Sequence, residues 1–241
     1  MRKNLYADLY QLEETHWWHK AKRELCSQFL RTVWKGKKLK ILDIGCGTGG
    51  NMKAFEKFGE VHGVDISPDA IAFCKKRELK HVRIGSAYRT KYPSSSFDVV
   101  TMLDVLEHVD DKKALSEVKR ILRPNGILIL TVPAYKLLWS RWDEALHHKR
   151  RYSKDEIISL LQSKDFAVCK CSYLYSFLFL PVLLIRSLKS AIRMKEYSSD
   201  FRLNPGPTNW ILLKLALLEH KIVQHLEIPF GTSVFCVAKI K

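Results

Sequence analysis

This chain has no CxxC pair among its six cysteines. Cys169 and Cys171 alternate in a predicted strand and point the same way, but no second ligand pair lies near them. They read as two packed thiols, no metal is expected, and the scatter of cysteines favours a reducing cytoplasm. The N-terminus, Met1 to Asp8, lacks the apolar core of a signal peptide. The longest apolar stretch, Tyr173 to Ile185, falls short of the ~20 residues of an ordinary membrane span, and Pro181, Arg186 and Lys189 weaken that reading further. No Tyr-x-x-x-Lys pair suggests hydride transfer. Acids are scarce: 25 Asp and Glu stand against 41 Lys and Arg, a net charge of +16. No single-strand platform and no groove-reading motif accompanies that charge, so no dedicated nucleic-acid module is expected. Basic clusters lie at Lys35 to Lys38, His147 to Arg151 and Arg186 to Lys195. They suit an anionic membrane surface, a phosphorylated substrate or simple solvation equally well.

What is present is an ordinary globular composition, 46% hydrophobic and 27% charged over 241 residues. That length suits one α/β domain. Apolar runs predict strands at Leu39–Ile44, Val61–Asp65, Val82–Gly85, Phe97–Leu103, Ile127–Val132, Phe166–Tyr173 and Val234–Ile240. Helices are expected over His16–Val33, after the Ser67-Pro68 start, over Asp111–Leu122 and after the Ser153 to Glu156 capping box. Arg123 to Gly126 reads as a stop and turn. Strands alternating with helices imply a parallel sheet with helices on both faces. Residues 1–38 form an N-terminal helical cover, 39–173 a cofactor-binding core, 174–231 a helical insertion and 232–241 the last strand. Asn204 to Pro207 reads as a hinge-like turn. The insertion holds two greasy helices flanked by basic residues. A lid, an interfacial anchor and a hairpin packed on the sheet edge remain open for it.

The chemistry starts at Asp43-Ile44-Gly45-Cys46-Gly47-Thr48-Gly49-Gly50, where an apolar strand meets an acid and then a glycine turn. Gly45, Gly47 and Gly50 fit a dinucleotide loop, with Asp65 about 20 residues on. Asp43 argues against that cofactor. A carboxylate at the mouth repels a pyrophosphate and attracts an ammonium. Gly49 adds a further glycine that lets backbone lie flat against a bulky ligand. S-adenosylmethionine satisfies these points: its ammonium meets Asp43, its carboxylate meets N–H groups near the helix start, and its ribose diol meets Asp65.

These segments resemble the class I S-adenosylmethionine-dependent methyltransferases. Asp43 to Gly49 is similar to the family's first motif, Gly63-Val64-Asp65-Ile66-Ser67 to its second and Ser96 to Val100 to the approach to strand four. Asp104-Val105-Leu106-Glu107-His108-Val109 and Leu122 to Leu128 are similar to the segments that follow. The resemblance covers roughly residues 39 to 133. It implies a Rossmann-like sheet of seven strands, mostly parallel, with the last antiparallel and the helical insertion before it. It also implies that the carbonyls of Gly45 and Leu103 receive the ammonium, that Ile66 packs on adenine, and that Ser86 and Ala87 border the ring. Relatives commonly carry Asp where Ser86 stands.

Methyl transfer mainly needs alignment and exclusion of water, with a base for a hydroxyl acceptor. His108, His147, His148 and Asp143 are candidate bases; His108, His148 and Asp143 are carried forward. Arg150 and Arg151 are candidates to hold a substrate anion. Trp17 and Trp18 either cover the cofactor or fill core. The subgroup resembles enzymes acting on small or lipid-linked acceptors, including quinone precursors and glycans. The expectation is therefore a cytoplasmic methyltransferase, peripheral at the inner face of the membrane. The alternatives are an NAD-dependent oxidoreductase and a non-catalytic membrane-associated scaffold.

Overall fold

Apolar residues on both sides of each central strand dictate a sheet covered on two faces. A computed structural model describes residues 3–191 and 206–241. Its strands are β1 (Leu39–Ile44), β2 (Gly59–Asp65), β3 (His81–Ile84), β4 (Phe97–Leu103), β5 (Leu122–Pro133), β6 (Phe166–Leu174) and β7 (Ser233–Ile240). Its helices are α1 (Lys3–Thr15), α2 (Trp17–Trp34), α3 (Gly50–Phe55), α4 (Pro68–Lys76), α5 (Asp111–Ile121), α6 (Arg141–Ala145), α7 (Lys154–Gln162), α8 (Ser176–Ala191) and α9 (Pro207–His225).

The seven strands lie in the order β3-β2-β1-β4-β5-β7-β6. Only β7 opposes its neighbours, pairing antiparallel with β5 and β6. Alternate strand residues serve two cores. Leu42, Val100, Met102, Leu128 and Leu130 meet Leu115 and Val118 of α5 and Ile157 and Leu161 of α7. Ile41, Val99, Ile129 and Phe235 meet Leu25 and Leu30 of α2, Met52 of α3 and Val223 of α9. Leu25 and Leu30 are fully buried, and burying each contributes about 2 kcal/mol.

Local signals act as the sequence predicts at several ends. Ser67 caps α4 with Pro68 inside it, and Ser153 and Glu156 form the capping box of α7. His16 starts α2 by accepting from Trp18 N. Two expectations change. Residues 123–126 lie within β5, not in a turn before it: Leu122 pairs with Phe97 and the register shifts before Ile127, with Asn125 at φ 62°. In β6 a register shift between Val168 and Lys170 breaks the alternation. Cys169 is therefore exposed while Cys171 is buried, and Cys171 pairs with Cys236 of β7 instead.

Helix α1 lies in the region expected to be an N-terminal helical cover, though no separate helix is predicted before His16. Helices α8 and α9 lie between β6 and β7 in the chain, and α9 packs on α2. Glu219 ties the two together by accepting from Ser176 N at 2.7 Å and Ser176 Oγ at 2.6 Å. Asn204 and Pro205 of the expected turn, and residues 192–195 of the basic stretch, lie outside the described residues.

Candidate active site

The carboxyl ends of β1, β2 and β4 meet at the glycine loop. Parallel sheets bind ligands at such edges. Gly45 turns at φ 70°, and a side chain there would overlap Val105. Its N–H donates to the Val64 carbonyl at 2.7 Å, which folds the loop onto β2. Asp43 is 1% exposed. Thr101 Oγ1 donates to its Oδ1 at 2.6 Å, while Oδ2 is buried with no hydrogen-bond partner. Burial pushes its pKa up to about 7, against the Thr101 bond.

At the end of β2, Asp65 accepts from Gly47 N at 3.0 Å and Ser67 N at 2.9 Å. Each oxygen keeps a lone pair for a further donor. Ile66 next to it is 78% exposed, the most exposed large hydrophobic side chain among the described residues. Ala87 is buried, whereas Ser86 Oγ is turned to its own loop, accepting from Tyr88 N at 3.1 Å. A side chain at Gly49 would overlap Leu79 and approach Cys74 Sγ, so packing beside α4 and φ 88° by themselves call for glycine there.

Helix α1 lies across this loop. Leu9 sits over Gly47. Glu13 is buried, accepting from Thr48 Oγ1, from Gly50 N at 3.0 Å and from Arg77 at 3.1 Å. This carboxylate occupies the donors at the start of α3, a ready anion site.

A second cluster forms where the segment after β4 meets the segment after β5. Lys149 N donates to the Glu107 carbonyl at 2.9 Å, Arg150 to Asp111 at 2.7 Å, and Tyr152 Oη to the Leu106 carbonyl at 3.3 Å. The rings of His108 and His148 then meet edge to face at 4.7 Å. Asp143 binds His148 Nδ1 at 2.9 Å and Arg151 Nε at 2.7 Å. Burial works to raise the Asp143 pKa, but bonds from His148 and Arg151 hold it well below the usual carboxylate range. Burial, with His148 beside it, lowers His108 to about 4. Glu107 is fully buried, and burial with Asp104 nearby drives its carboxyl well above the usual range.

The profile of the methyltransferase domain family matches residues 42–130, which include the glycine loop, Asp65 and the 104–109 segment. Residues 42–130 thus carry a methyltransferase domain. The mitochondrial ubiquinone biosynthesis O-methyltransferase of Schizosaccharomyces pombe is 37% identical over 119 residues, covering 45% of this chain and 42% of that protein. A thiol S-methyltransferase of Rattus norvegicus is 34% identical over 135 residues, covering 50% and 55% respectively. The chain spans about half or less of the length of these curated relatives. The solved structure of a SAM-dependent methyltransferase from Thermotoga maritima shares the fold, with a TM-score of 0.60 at 18% identity over 99% of this chain and 96% of that one.

Within this methyltransferase fold, Asp43, Gly45, Gly47, Asp65, Ile66, Ala87 and Leu103 border one edge of the sheet. His108, His148 and Asp143 converge beside it from positions 40 residues apart in the chain. Asp143 changes role: fully buried and bound by His148, Arg151 and Ser140, it cannot reach an acceptor and supports His148 instead. Arg151 is likewise committed to Asp143, while Arg150 gives one N–H to Asp111 and stays partly exposed. Trp17 is core, packed at 5.3 Å from Tyr175. Three residues were missed. Lys22 is buried and bridges to Asp104, and its spacing of four from Trp18 placed it on the inner face of α2. Glu107 stood unremarked beside His108. Glu13 gave no local signal.

Proposed function

We propose that this chain moves a methyl group from S-adenosylmethionine to a small or lipid-linked acceptor, with a hydroxyl oxygen as the receiving atom. The observation that carries this reading is the buried, unpartnered Oδ2 of Asp43 beside the glycine loop. A buried carboxylate oxygen without a donor calls for a cationic partner, and the cofactor's ammonium is one. A pyrophosphate would meet Asp43 with like charge, which disfavours NAD. Asp43 and the Gly45 and Leu103 carbonyls hold the ammonium, Asp65 holds the ribose diol, and Ile66 and Ala87 border adenine. When bound, the cofactor supplies a methyl carbon on a sulfonium that departs as a neutral thioether.

The residues of this chain align the acceptor, exclude water and take charge of one proton. His108 and His148 do so at the acceptor side. Asp143 holds His148 Nδ1–H, which leaves Nε2 with its lone pair. The name of the ubiquinone-type relative supports an oxygen acceptor, and that of the thiol S-methyltransferase makes sulfur the runner-up.

The lipid-linked part of the proposal rests on the insertion. Among the described residues no helix is long and apolar enough to cross a membrane. Leu180, Leu184 and Leu188 of α8, and Trp210, Leu218 and Ile222 of α9, are nonetheless exposed. Large apolar side chains on two adjacent helices, in a chain of net charge +16, suit the surface of an anionic bilayer. Incubation with methyl-labelled cofactor and cell extract, split into lipid, glycan, protein and RNA fractions, tests the acceptor. Label in the lipid fraction supports the proposal. Tight NAD binding with no binding of S-adenosylhomocysteine overturns it.

A further inference from the structure

We propose that Glu107, His108 and His148 bind one divalent transition-metal cation of the zinc or cobalt(II) class. The spacing of these residues in sequence suggested no metal centre. The fold assembles one by zipping the segment after β4 to the segment after β5. One ligand atom from each residue lies within 4.8 Å of the others, and His148 Nε2 stands 4.0 Å from Glu107 Oε1. Donors about 2.0–2.2 Å from a shared ion stand about 3.3–3.5 Å apart, so side-chain movements of about an ångström close the shell.

Three independent observations point at a cation. Glu107 is fully buried, and neither of its carboxylate oxygens has a hydrogen-bond partner. The neighbouring cations act on it only at a distance, because Lys22 bridges to Asp104 and Arg151 to Asp143. Each imidazole is held from behind. Asp143 takes the Nδ1 side of His148 at 2.9 Å, and the backbone of His147 is a hydrogen-bond partner of His108. A carboxylate or carbonyl behind each imidazole fixes its tautomer and turns the other nitrogen into a ligand, as in metal second shells. Two imidazoles and one carboxylate match the donor preference of zinc and its neighbours rather than of magnesium or calcium.

Three protein ligands leave a coordination position open. A hydroxyl or thiol acceptor bound there loses its proton to solvent and stays on the ion as alkoxide or thiolate, with no change of oxidation state, so that with the ion in place His108 and His148 act as its ligands and no longer as free bases. That use of the ion rests on the methyl-transfer proposal; the binding site itself does not.

The test uses the full chain, stripped with a chelator and titrated with Co²⁺ and then Zn²⁺. Calorimetry and the visible absorption of Co²⁺ report binding, while S-adenosylhomocysteine affinity and melting report folding. Wild type takes up one equivalent with a tetrahedral or five-coordinate cobalt spectrum. His108→Ala, His148→Ala and Glu107→Gln each weaken uptake by about 100-fold or more and keep S-adenosylhomocysteine affinity within about twofold. Glu107→Gln keeps the side-chain shape and carries the comparison if a histidine variant does not fold. No stoichiometric uptake by wild type, or equal uptake by the variants, overturns the site and makes Glu107 a buried neutral acid. Metal uptake without S-adenosylhomocysteine binding overturns the methyl-transfer reading and leaves the site standing.

Discussion

Replacing Asp43 by Asn tests the cofactor assignment at its most sensitive atom. The carboxyl is buried, with a midpoint of about 7 and one oxygen unpartnered. An ammonium ligand selects its ionised form, so apparent affinity scales with the ionised fraction. With that midpoint the fraction is about 0.9 at pH 8 and about 0.1 at pH 6. Affinity for S-adenosylhomocysteine, which keeps the ammonium, therefore falls about tenfold across this interval, or about 1.4 kcal/mol. Binding at pH 7 releases about half a proton, which calorimetry in buffers of different ionisation enthalpy counts. Asp43→Asn flattens the profile and costs about 1.5–3 kcal/mol of binding at pH 8, where the charge-assisted bond is lost. Asp65 and Glu13 are also pushed upward by burial, so the decisive quantity is the difference between wild type and variant. An affinity unchanged from pH 6 to 8 in wild type, or an equal slope in Asp43→Asn, refutes the ammonium assignment.

The same carboxyl gives stability the opposite trend without cofactor. Its folded pKa lies above the ordinary carboxylate value, so the native state holds an extra proton between about pH 4 and 7, and stability is lost progressively across that interval until pH passes about 7. Cofactor-free Asp43→Asn is thus more stable than wild type at pH 8, by up to about 4 kcal/mol, and denaturant titration shows the gap closing towards pH 4. Asp143→Asn strands the buried Arg151 charge and lowers stability by about 3–5 kcal/mol in the same assay. Glu219→Ala unties the start of α8 from α9, costs about 1–3 kcal/mol, and speeds amide exchange at Tyr175 and Ser176 before any other site. Leu184→Glu with Leu218→Glu abolishes sedimentation with anionic liposomes at an unchanged melting temperature, since both side chains are exposed.

The sequence disclosed β1 and β4 to the residue because each is an apolar run buried on both faces and ended by a chain-turning residue. Gly45 ends the first. Asp104, at φ 57°, ends the second. Caps were legible for a similar reason: Ser67-Pro68 and Ser153 with Glu156 act within a few residues. What failed depended on distant partners. Helix α1 is held by Tyr6, Leu9 and Glu13 against the glycine loop and α4, and nothing in its own period announces that docking. Cys169 escaped because a bulge inverts the side-chain alternation that period-two reasoning assumes. In the site, the residue types His108, His148 and Asp143 were visible. Their assembly needed the backbone bond from Lys149 to Glu107, made between segments 42 residues apart.

Helix α2 links parts that the sequence presents as separate units. Its first N–H donates to Asn209 Oδ1 of α9 at 2.7 Å, and Asn209 Nδ2 returns a bond to the Thr15 carbonyl of α1 at 3.0 Å. One turn further, Lys22 crosses to Asp104, whose other oxygen accepts from Thr131 Oγ1 at 3.0 Å. Lys22 is buried, so its desolvation offsets much of the attraction in this pair, and the bridge is a poor source of stability. Its effect is geometric. It holds a left-handed Asp104 at the end of β4, three residues before Glu107 and four before His108. The insertion and the N-terminal cover thus reach the acceptor-side cluster through one helix, by hydrogen bonds whose directions fix where Asp104 stands. An apolar face on α9 that engages a surface would load the same helix that positions the loop after β4, which ties acceptor delivery and site geometry to a single element.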